Sequence, residues 1–444
     1  MRWSSKAIFP LALVTMPAIL FYLVTFRTAL NIPFLDEYRC VLLFLNRWKL
    51  LHGFSTKLSF FLAWQLNEYK LFFIEGVVWL QYRLLGHVDF KILCLAGDLF
   101  ILLLGILLWK MFLPSRKDLA LRLAFFIPVS WLLFQLEYWE ILNWASAELQ
   151  HLSGIVFSLA TLFFLLRTSR TAFGLAAACF ILAFASSGSG LLLVPAGMAI
   201  LVAGRRFAAT AIWLCTSAGC MAAYFYHYNV RSSQVDPHRS IFAILLHINP
   251  VHMLGFAGCA AATPIASVTL GLLLWVFFGW MAWRGYMRRN PLISCCVLLL
   301  LITSIGVAGI RSEHPIEQFL TSRYTIYSVL LLIFAWFMIV EEFLQHGRRP
   351  DLNNNAYLAS VTAAVLFSLF MDGVGLVHIR SHNQALIQGM QIFEHPSSPG
   401  STVGLYGPYM IAPYETAQPP EFNVFARRTL IDSMQLGVYE PPQY

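Results

Sequence analysis

The sequence predicts an all-α, polytopic membrane protein with about eleven transmembrane helices. Hydrophobic residues make up 59% of the 444 residues and charged residues only 12%, which is too little charge to cover the surface of a soluble chain. The mean hydropathy is +0.68. Apolar runs of about 20 residues recur along the chain, and a helix of that length crosses the hydrocarbon core of a bilayer with its backbone hydrogen bonds satisfied.

The first predicted span covers Ala7 to Phe26 and follows Arg2 and Lys6. Its apolar stretch is long and more spans follow, so we interpret it as a retained anchor rather than a signal peptide. The further predicted spans are residues 90–112, 121–136, 152–166, 171–185, 188–204, 207–226, 263–283, 291–310, 324–343 and 356–373.

The charges of the loops predict the orientation of the chain. One set of loops is basic and contains Lys110, Arg116, Lys117, Arg122, Arg167, Arg170, Arg205, Arg206, Arg284, Arg288, Arg289, Arg348 and Arg349. The loops between them mix acids and bases and contain Asp36, Glu137, Glu140, Glu148, Asp236, Glu313 and Glu317. By the positive-inside rule the basic loops are cytoplasmic, which places the N-terminus inside and the C-terminus outside.

The apolar segment Leu71–Leu85 carries Glu75, Gln81 and Arg83. If it crossed the membrane, every later loop would change sides and the basic loops would face outward. We therefore predict an interfacial or re-entrant helix here.

Three long outer segments complete the predicted organisation, and the second of them, about His227 to Thr263, contains an apolar piece, Ile241–Ala261, that is expected to lie along the surface. A transmembrane domain spans residues 1–373, and its first outer loop, 27–89, contains the amphipathic stretches Tyr38–Leu51 and Lys57–Leu71. Residues 374–444 are rich in Pro, Gly and Tyr and are predicted to form a small, irregular outer segment.

The net charge of +8 is explained by the basic loops, so we expect a lipid bilayer and no nucleic acid as partner. Most of the eight cysteines fall in or beside apolar runs, where Cys packs as a small apolar residue. No CxxC pattern and no histidine spacing indicates a metal site. The sequence therefore predicts neither a metal nor a cofactor.

The segment Phe34–Arg39 lies shortly after the first span on the predicted outer side and contains Asp36 and Glu37. A carboxylate held at this point can act as a general base on an acceptor hydroxyl. The alternative is a helix N-cap whose charges are solvated. In the same outer loop, Glu68 and Lys70 can orient a substrate or pair with Asp36 and Arg39, or they can form the solvated face of an amphipathic helix.

The second outer loop combines acids with aromatic residues. Glu137, Glu140 and Asn143 repeat at a spacing of three, which places them on one helix face, and Glu148, Gln150 and His151 follow. Trp139 and Trp144 can stack on a sugar ring or anchor the chain at the interface.

Basic residues on the predicted outer side are candidates for binding an anion, because a guanidinium binds phosphate with two hydrogen bonds. They are Arg231, His238, Arg239, Arg311, His314 and Arg323, the last within the Ser322-Arg323-Tyr324 run at the mouth of a span. Pairing with Glu313 or Glu317 is the alternative. The glycine-rich run Ser186–Gly190 lacks a Walker lysine and predicts a tight turn.

Together these features resemble the GT-C membrane glycosyltransferases: one N-terminal span, a large outer loop with an acidic pair, amphipathic helices and a second loop of acids and aromatics. The Asn67-Glu68-Tyr69-Lys70 run resembles the Glu-His-Arg type motif of a bacterial branch, with Tyr and Lys in place of His and Arg. The Ser322–Tyr324 run resembles the later arginine motif of that branch. The layout, size and tail are similar to those of the type IV pilin arabinofuranosyltransferases.

The resemblance implies an enzyme of the bacterial inner membrane that transfers a sugar from a polyprenyl-phosphate carrier, with inversion, to a hydroxyl of a protein or glycan on the periplasmic side. It implies Asp36 as the base, with Glu37 as its neighbour or substitute, and Arg323, Lys70 and Arg311 as ligands of the lipid phosphate. Glu68, Glu137, Glu140, His151 and Tyr324 complete the predicted substrate-binding set. A lipid-linked sugar flippase, an O-antigen polymerase and a structural subunit are the competing hypotheses.

Overall fold

A computed structural model describes residues 5–67, 69–114, 118–229, 248–261, 263–310, 315–345, 355–394 and 420–442. Within these ranges every named element is helical. The α-helices are α1 Ser5–Thr28, α2 Phe44–Leu50, α3 Phe54–Ala63, α4 Phe72–Leu85, α5 Phe90–Met111, α6 Leu119–Leu133, α7 Trp139–Leu142, α8 Ala145–Leu165, α9 Arg170–Ser186, α10 Leu193–Ala203, α11 Phe207–Phe225, α12 Pro250–Ala257, α13 Pro264–Trp283, α14 Tyr286–Arg289, α15 Pro291–Ile310, α16 Ser322–Gln345, α17 Asn355–Glu394 and α18 Pro420–Gln435. A π-helix, Tyr38–Leu43, precedes α2, and 3-10 helices cover Leu136–Tyr138, Gly188–Leu192 and Ile316–Phe319.

Among the described residues, nine helices are long and apolar enough to cross a membrane. The chain is therefore a multi-pass helical membrane protein, as the sequence predicts. Each of the nine covers a predicted span. The two remaining predicted spans correspond to shorter apolar helices, Arg170–Ser186 and Gly188–Ala203. The count of eleven, the orientation and the GT-C fold stay predictions.

Three predicted boundaries were wrong. Helix α8 begins at Ala145 rather than at residue 152, so Glu148, Gln150 and His151 lie in its first turns and not in a loop. Helix α17 continues without interruption to Glu394, well beyond the predicted end at residue 373. The amphipathic stretch predicted to run from Lys57 to Leu71 ends as a helix at Ala63.

The helix predicted within Leu71–Leu85 is confirmed as the 14-residue helix α4, and its interfacial or re-entrant placement stays a prediction. The run Ser186–Gly190 makes a tight connection, because Gly190 packs so closely on Phe184 that a Cβ atom would lie 2.5 Å from the Phe184 Cα atom.

The chain divides into two compact units. The first consists of residues 1–28, 101–140 and 242–379. The second consists of residues 29–100, 141–241 and 380–444.

Two prolines inside apolar helices of the first unit leave backbone carbonyls without a helical donor, and side chains from other helices donate to them. Pro17 has no N–H, which leaves the Leu13 carbonyl without its usual donor, and the Trp131 indole N–H donates to that oxygen at 3.1 Å. Pro128 in α6 likewise frees the Ala124 carbonyl, which accepts from the Tyr357 hydroxyl at 3.0 Å. In lipid each freed carbonyl needs such a partner, so these contacts hold helices of this unit together.

In the second unit, α8 packs along α9, and α10 packs on α11. Gly197 allows the second contact, since a Cβ atom there would lie 2.4 Å from the ring of Trp213. The Trp213 indole N–H donates to the Val194 carbonyl at 3.2 Å. Small residues that let helices approach closely are typical of membrane helix pairs.

Candidate functional site

The turn after α1 is the best-defined part of the predicted site, and it lies in the second unit. Leu35 has a positive φ of 46°, an unusual conformation for a branched residue. The Glu37 N–H donates to the Phe34 carbonyl at 3.0 Å, which closes the turn. The Asp36 carbonyl then accepts from the Cys40 N–H at 2.8 Å at the start of the π-helix. The backbone thereby fixes where Asp36 lies.

The Glu37 side chain locks this turn in place. One carboxyl oxygen accepts from the Phe34 N–H at 2.7 Å, and the other accepts from the Ser146 N–H at 3.1 Å, at the beginning of α8. Only 1% of Glu37 is exposed. Burial raises the pKa of Glu37 to about 8; backbone hydrogen bonds oppose the shift, and the charge of Asp36 adds to it.

Asp36 and Glu37 therefore differ in what they can do. Asp36 is half-buried, so solvent or a small substrate can reach it, whereas Glu37 is closed off. Phe34 strengthens the turn by packing edge-on against Trp144 and His382, with ring centroids 5.5 Å and 4.7 Å away. The geometry leaves Asp36 as the accessible member of the predicted pair and Glu37 as the member whose side chain holds the turn.

A pair of buried acids, Asp98 and Glu148, lies in the same unit. Glu148 of α8 is fully buried, and its carboxyl group packs on Gly97 of α5, where a Cβ atom would lie 2.8 Å from a Glu148 oxygen. Asp98, the residue after Gly97, is also buried and interacts electrostatically with Glu148. Asp98 was not among the predicted site residues. The sequence signal for Asp98 is that it is the one acid within the predicted span 90–112.

Lys70 lies within the same predicted loop, residues 27–89, and is fully buried. Its ammonium group donates to the Leu62 carbonyl and, at 2.6 Å, to the Tyr226 carbonyl. Burial lowers the pKa of Lys70, and the charge of Glu75 opposes this shift. Two of the alternatives for Lys70, an ion pair with Asp36 and a place on a solvated helix face, were wrong, because Lys70 is buried and backbone carbonyls take its hydrogen bonds.

The predicted residues of the first unit centre on a buried ion pair. The Arg323 guanidinium donates from Nη1 to Glu140 at 3.1 Å, with 14% of the Arg323 side chain and 1% of the Glu140 side chain exposed. The Arg323 N–H also points at the Glu140 carboxylate, 3.4 Å away. In return, the Glu140 N–H donates to the Ser322 hydroxyl at 2.9 Å. Three hydrogen bonds thus join Glu140 to the start of α16.

Aromatic rings surround this ion pair on the α16 side. Tyr324 is buried, its ring lies 5.2 Å from Phe256, and the Arg323 guanidinium lies 5.4 Å from its centroid. Nearby in the chain, Phe319 stacks on His252 at 4.4 Å. Arg323 therefore packs against the Tyr324 ring, which is itself held by Phe256.

The acid-aromatic loop is packed rather than open in the first unit. Glu137 is buried. The Leu136 N–H donates to the Asp372 carboxylate of α17 at 2.7 Å. The Trp139 ring stacks on His378 with centroids 4.9 Å apart, so a histidine covers one face of the ring that was a candidate for stacking on a sugar.

The remaining predicted residues are placed as follows. His151 is half-buried in the second turn of α8. Glu68 and Arg311 lie outside the described residues, as do Arg231, His238, Arg239 and His314. Asp36, Glu37, Lys70 and His151 belong to the second unit, and Glu137, Glu140, Arg323 and Tyr324 belong to the first.

Comparison with models of known protein families and with characterised proteins found no match to this chain.

Proposed function

We propose that this protein is an inverting glycosyltransferase of the bacterial inner membrane, which transfers a sugar from a polyprenyl-phosphate carrier to an acceptor hydroxyl on the periplasmic face. The observation that carries the proposal is the fixed turn after α1, in which Glu37 binds two backbone N–H groups and leaves Asp36 half-exposed. A carboxylate held rigidly and within reach of solvent suits a general base. The reaction class rests on the resemblance to GT-C enzymes.

In the proposed step, Asp36 accepts the proton of the acceptor hydroxyl while the hydroxyl oxygen attacks C1 of the sugar. The new C1–O bond forms on the face opposite the phosphate. The bond between C1 and the phosphate oxygen breaks, and polyprenyl phosphate leaves with its electron pair. Since phosphate is a stable anion, its departure depends on cationic ligands rather than on an acid.

Arg323 is the proposed phosphate ligand, as the resemblance implies. Its guanidinium can bind phosphate with two parallel hydrogen bonds, and Glu140 fixes its orientation through Nη1. In this proposal Glu140 positions Arg323 and does not itself bind the substrate. Lys70 would have to leave two carbonyls to reach a phosphate, so its role is structural.

The test is release of polyprenyl phosphate by the purified protein in detergent, with a set of polyprenyl-phosphate sugars that begins with arabinofuranose. Asp36→Asn is expected to lower the rate about 10²–10⁴-fold, the usual contribution of a general base. Asp89→Asn is the matched control, since Asp89 is also a half-buried outer-loop aspartate but caps α5 by accepting from the Ile92 N–H at 3.1 Å. Asparagine caps a helix equally well, so this variant should keep the wild-type rate. Equal rates for Asp36→Asn and the wild type would refute the proposed base.

A lipid-linked sugar flippase is the second candidate, and one observation favours it. Asp98 and Glu148 are buried acids within candidate spans, and such residues often mark proton or substrate pathways in transporters. Sugar-lipid translocation in proteoliposomes that depends on Asp98, without release of polyprenyl phosphate, would favour this function. Release that depends on Asp36 and continues in Asp98→Asn would favour the glycosyltransferase.

A further inference from the structure

Helix α3, Phe54–Ala63, has no buried residue. Phe54 is 82% exposed, and Leu58 follows one turn later and is also exposed. A ten-residue helix is marginal in water by itself, so a helix with this much exposed apolar surface needs a further environment to stabilise it.

The inner side of α3 rests on a cluster of aromatic rings. Phe60 stacks on Phe44 with centroids 5.6 Å apart, and Phe61 stacks on Phe72 at 5.5 Å. Trp64, just after the helix, packs against Phe60 at 5.1 Å. These contacts hold the C-terminal half of α3, whereas Phe54 and Leu58, which share a face with Phe61, lie toward its N-terminal end and are exposed.

The segment that contains α3 is purely cationic. Residues 38–67 contain Arg39, Arg47, Lys49 and Lys57 and no acid. Lys57 lies over the Trp48 ring at 5.4 Å, and Arg47 lies over the Trp64 ring at 5.5 Å. Each tryptophan therefore holds one cation beside the exposed helix.

We propose that α3 lies in the headgroup layer of the bilayer, and that Arg47 and Lys57 bind the phosphate of an anionic phospholipid. The apolar face of Phe54 and Leu58 enters the acyl boundary, and the two tryptophans lie at the level that amphipathic rings prefer. Cations beside an inserted apolar face match the charge of a lipid phosphate. An anionic phospholipid matches both features together, its acyl chains the apolar face and its phosphate the two cations. The proposal is independent of the proposed transferase reaction.

The first test measures lipid dependence. The full-length protein in detergent is titrated with phosphatidylglycerol or with phosphatidylcholine of the same acyl chains, and thermal unfolding is followed. Phosphatidylglycerol should raise the melting temperature of the wild type more than phosphatidylcholine does, and 0.5 M salt should reduce the difference.

The variant Arg47→Gln/Lys57→Gln should shift the midpoint of the phosphatidylglycerol titration about twenty-five-fold to higher lipid, because each cation near an anionic surface contributes about fivefold. Arg167→Gln/Arg170→Gln is the matched control. It removes the same charge from exposed arginines, one of which lies over the Phe163 ring at 3.9 Å. An equal midpoint for Arg47→Gln/Lys57→Gln and the control would overturn the proposal.

The second test identifies the occupant. A photo-crosslinking amino acid at Phe54, in nanodiscs that contain both lipids, should give adducts with the mass of one phospholipid, enriched in phosphatidylglycerol. The same variant is then irradiated in native membranes. A crosslink to a protein there, or nanodisc adducts with no preference for the anionic lipid, would overturn the proposal.

Discussion

Glu37 and Glu140 are two equally buried glutamates, one in each unit, and they are stabilised in opposite ways. Glu140 faces a guanidinium and forms an ion pair with Arg323. Glu37 faces two backbone N–H groups, and burial raises its pKa to about 8, so its carboxyl group carries a proton at neutral pH. Burial alone therefore does not tell which acid carries charge, and the partner decides it.

The largest expected effect comes from breaking the ion pair. Arg323→Ala leaves the Glu140 carboxylate buried without its cation, which should cost about 3–5 kcal/mol of stability. Denaturation in mixed detergent micelles with increasing dodecyl sulfate measures this loss.

The matched control is Arg289→Ala, in the same unit. Arg289 pairs with Glu342 at 2.7 Å but is one-third exposed, so its loss should cost about 1 kcal/mol or less. If both variants lose the same stability, Glu140 is not a buried charge that depends on Arg323.

The next effect concerns the hydrogen bonds of Glu37. Glu37→Gln turns one of its acceptor oxygens into an NH2 group that faces the N–H of Phe34 or Ser146, which should cost about 1–3 kcal/mol. Glu75→Gln is the control, because the fully buried Glu75 carboxyl has no hydrogen-bond partner among the described residues. A smaller loss for Glu37→Gln than for Glu75→Gln would contradict the anchoring role.

A third effect follows from the proton on Glu37. Its pKa is 4.5 in the unfolded chain and about 8 in the folded one, so between these values the folded protein binds more protons. The stability from this proton is complete below pH 4.5 and is lost as the pH rises through 8. For one group the loss is at most about 1.4 kcal/mol per pH unit.

The comparison of wild type with Glu37→Gln isolates this contribution from other groups, such as Lys70, whose lowered pKa acts in the opposite direction. Unfolding of both proteins is followed between pH 6 and pH 9. Wild type should lose more stability than Glu37→Gln as the pH rises. Parallel curves would show that Glu37 is already ionised at pH 6.

Hydropathy was sufficient to predict the helices, because an apolar run of about 20 residues satisfies its own backbone in lipid. It failed at the start of α8, where Glu148 counts against a span although it is buried in one, and inside α5 it predicted the span but did not identify Asp98 as a candidate site residue. Polar residues within helices are therefore the places where hydropathy misses both boundaries and candidate sites.

The roles of the site residues depend on distant contacts that no local pattern contains. Glu37 binds the N–H of Ser146, 109 positions away in the chain. Lys70 binds the carbonyl of Tyr226, 156 positions away. The sequence places the acidic pair after the first span, but only the folded chain distinguishes its exposed member from its buried one.

Substitution of Asp36 is expected to change the stability least, although substitution of its neighbour Glu37 is expected to cause one of the largest changes. The Asp36 backbone carbonyl holds the turn and is the same in Asp36→Asn, and the side chain is half-exposed, so stability should stay within about 0.5 kcal/mol of wild type. Glu37→Gln measured in parallel should be clearly less stable. If Asp36→Asn unfolds as readily as Glu37→Gln, Asp36 is part of the anchor, and loss of transfer by that variant would no longer identify a base. If it stays as stable as wild type and transfers no sugar, the two neighbouring acids have separate roles, one for structure and one for chemistry.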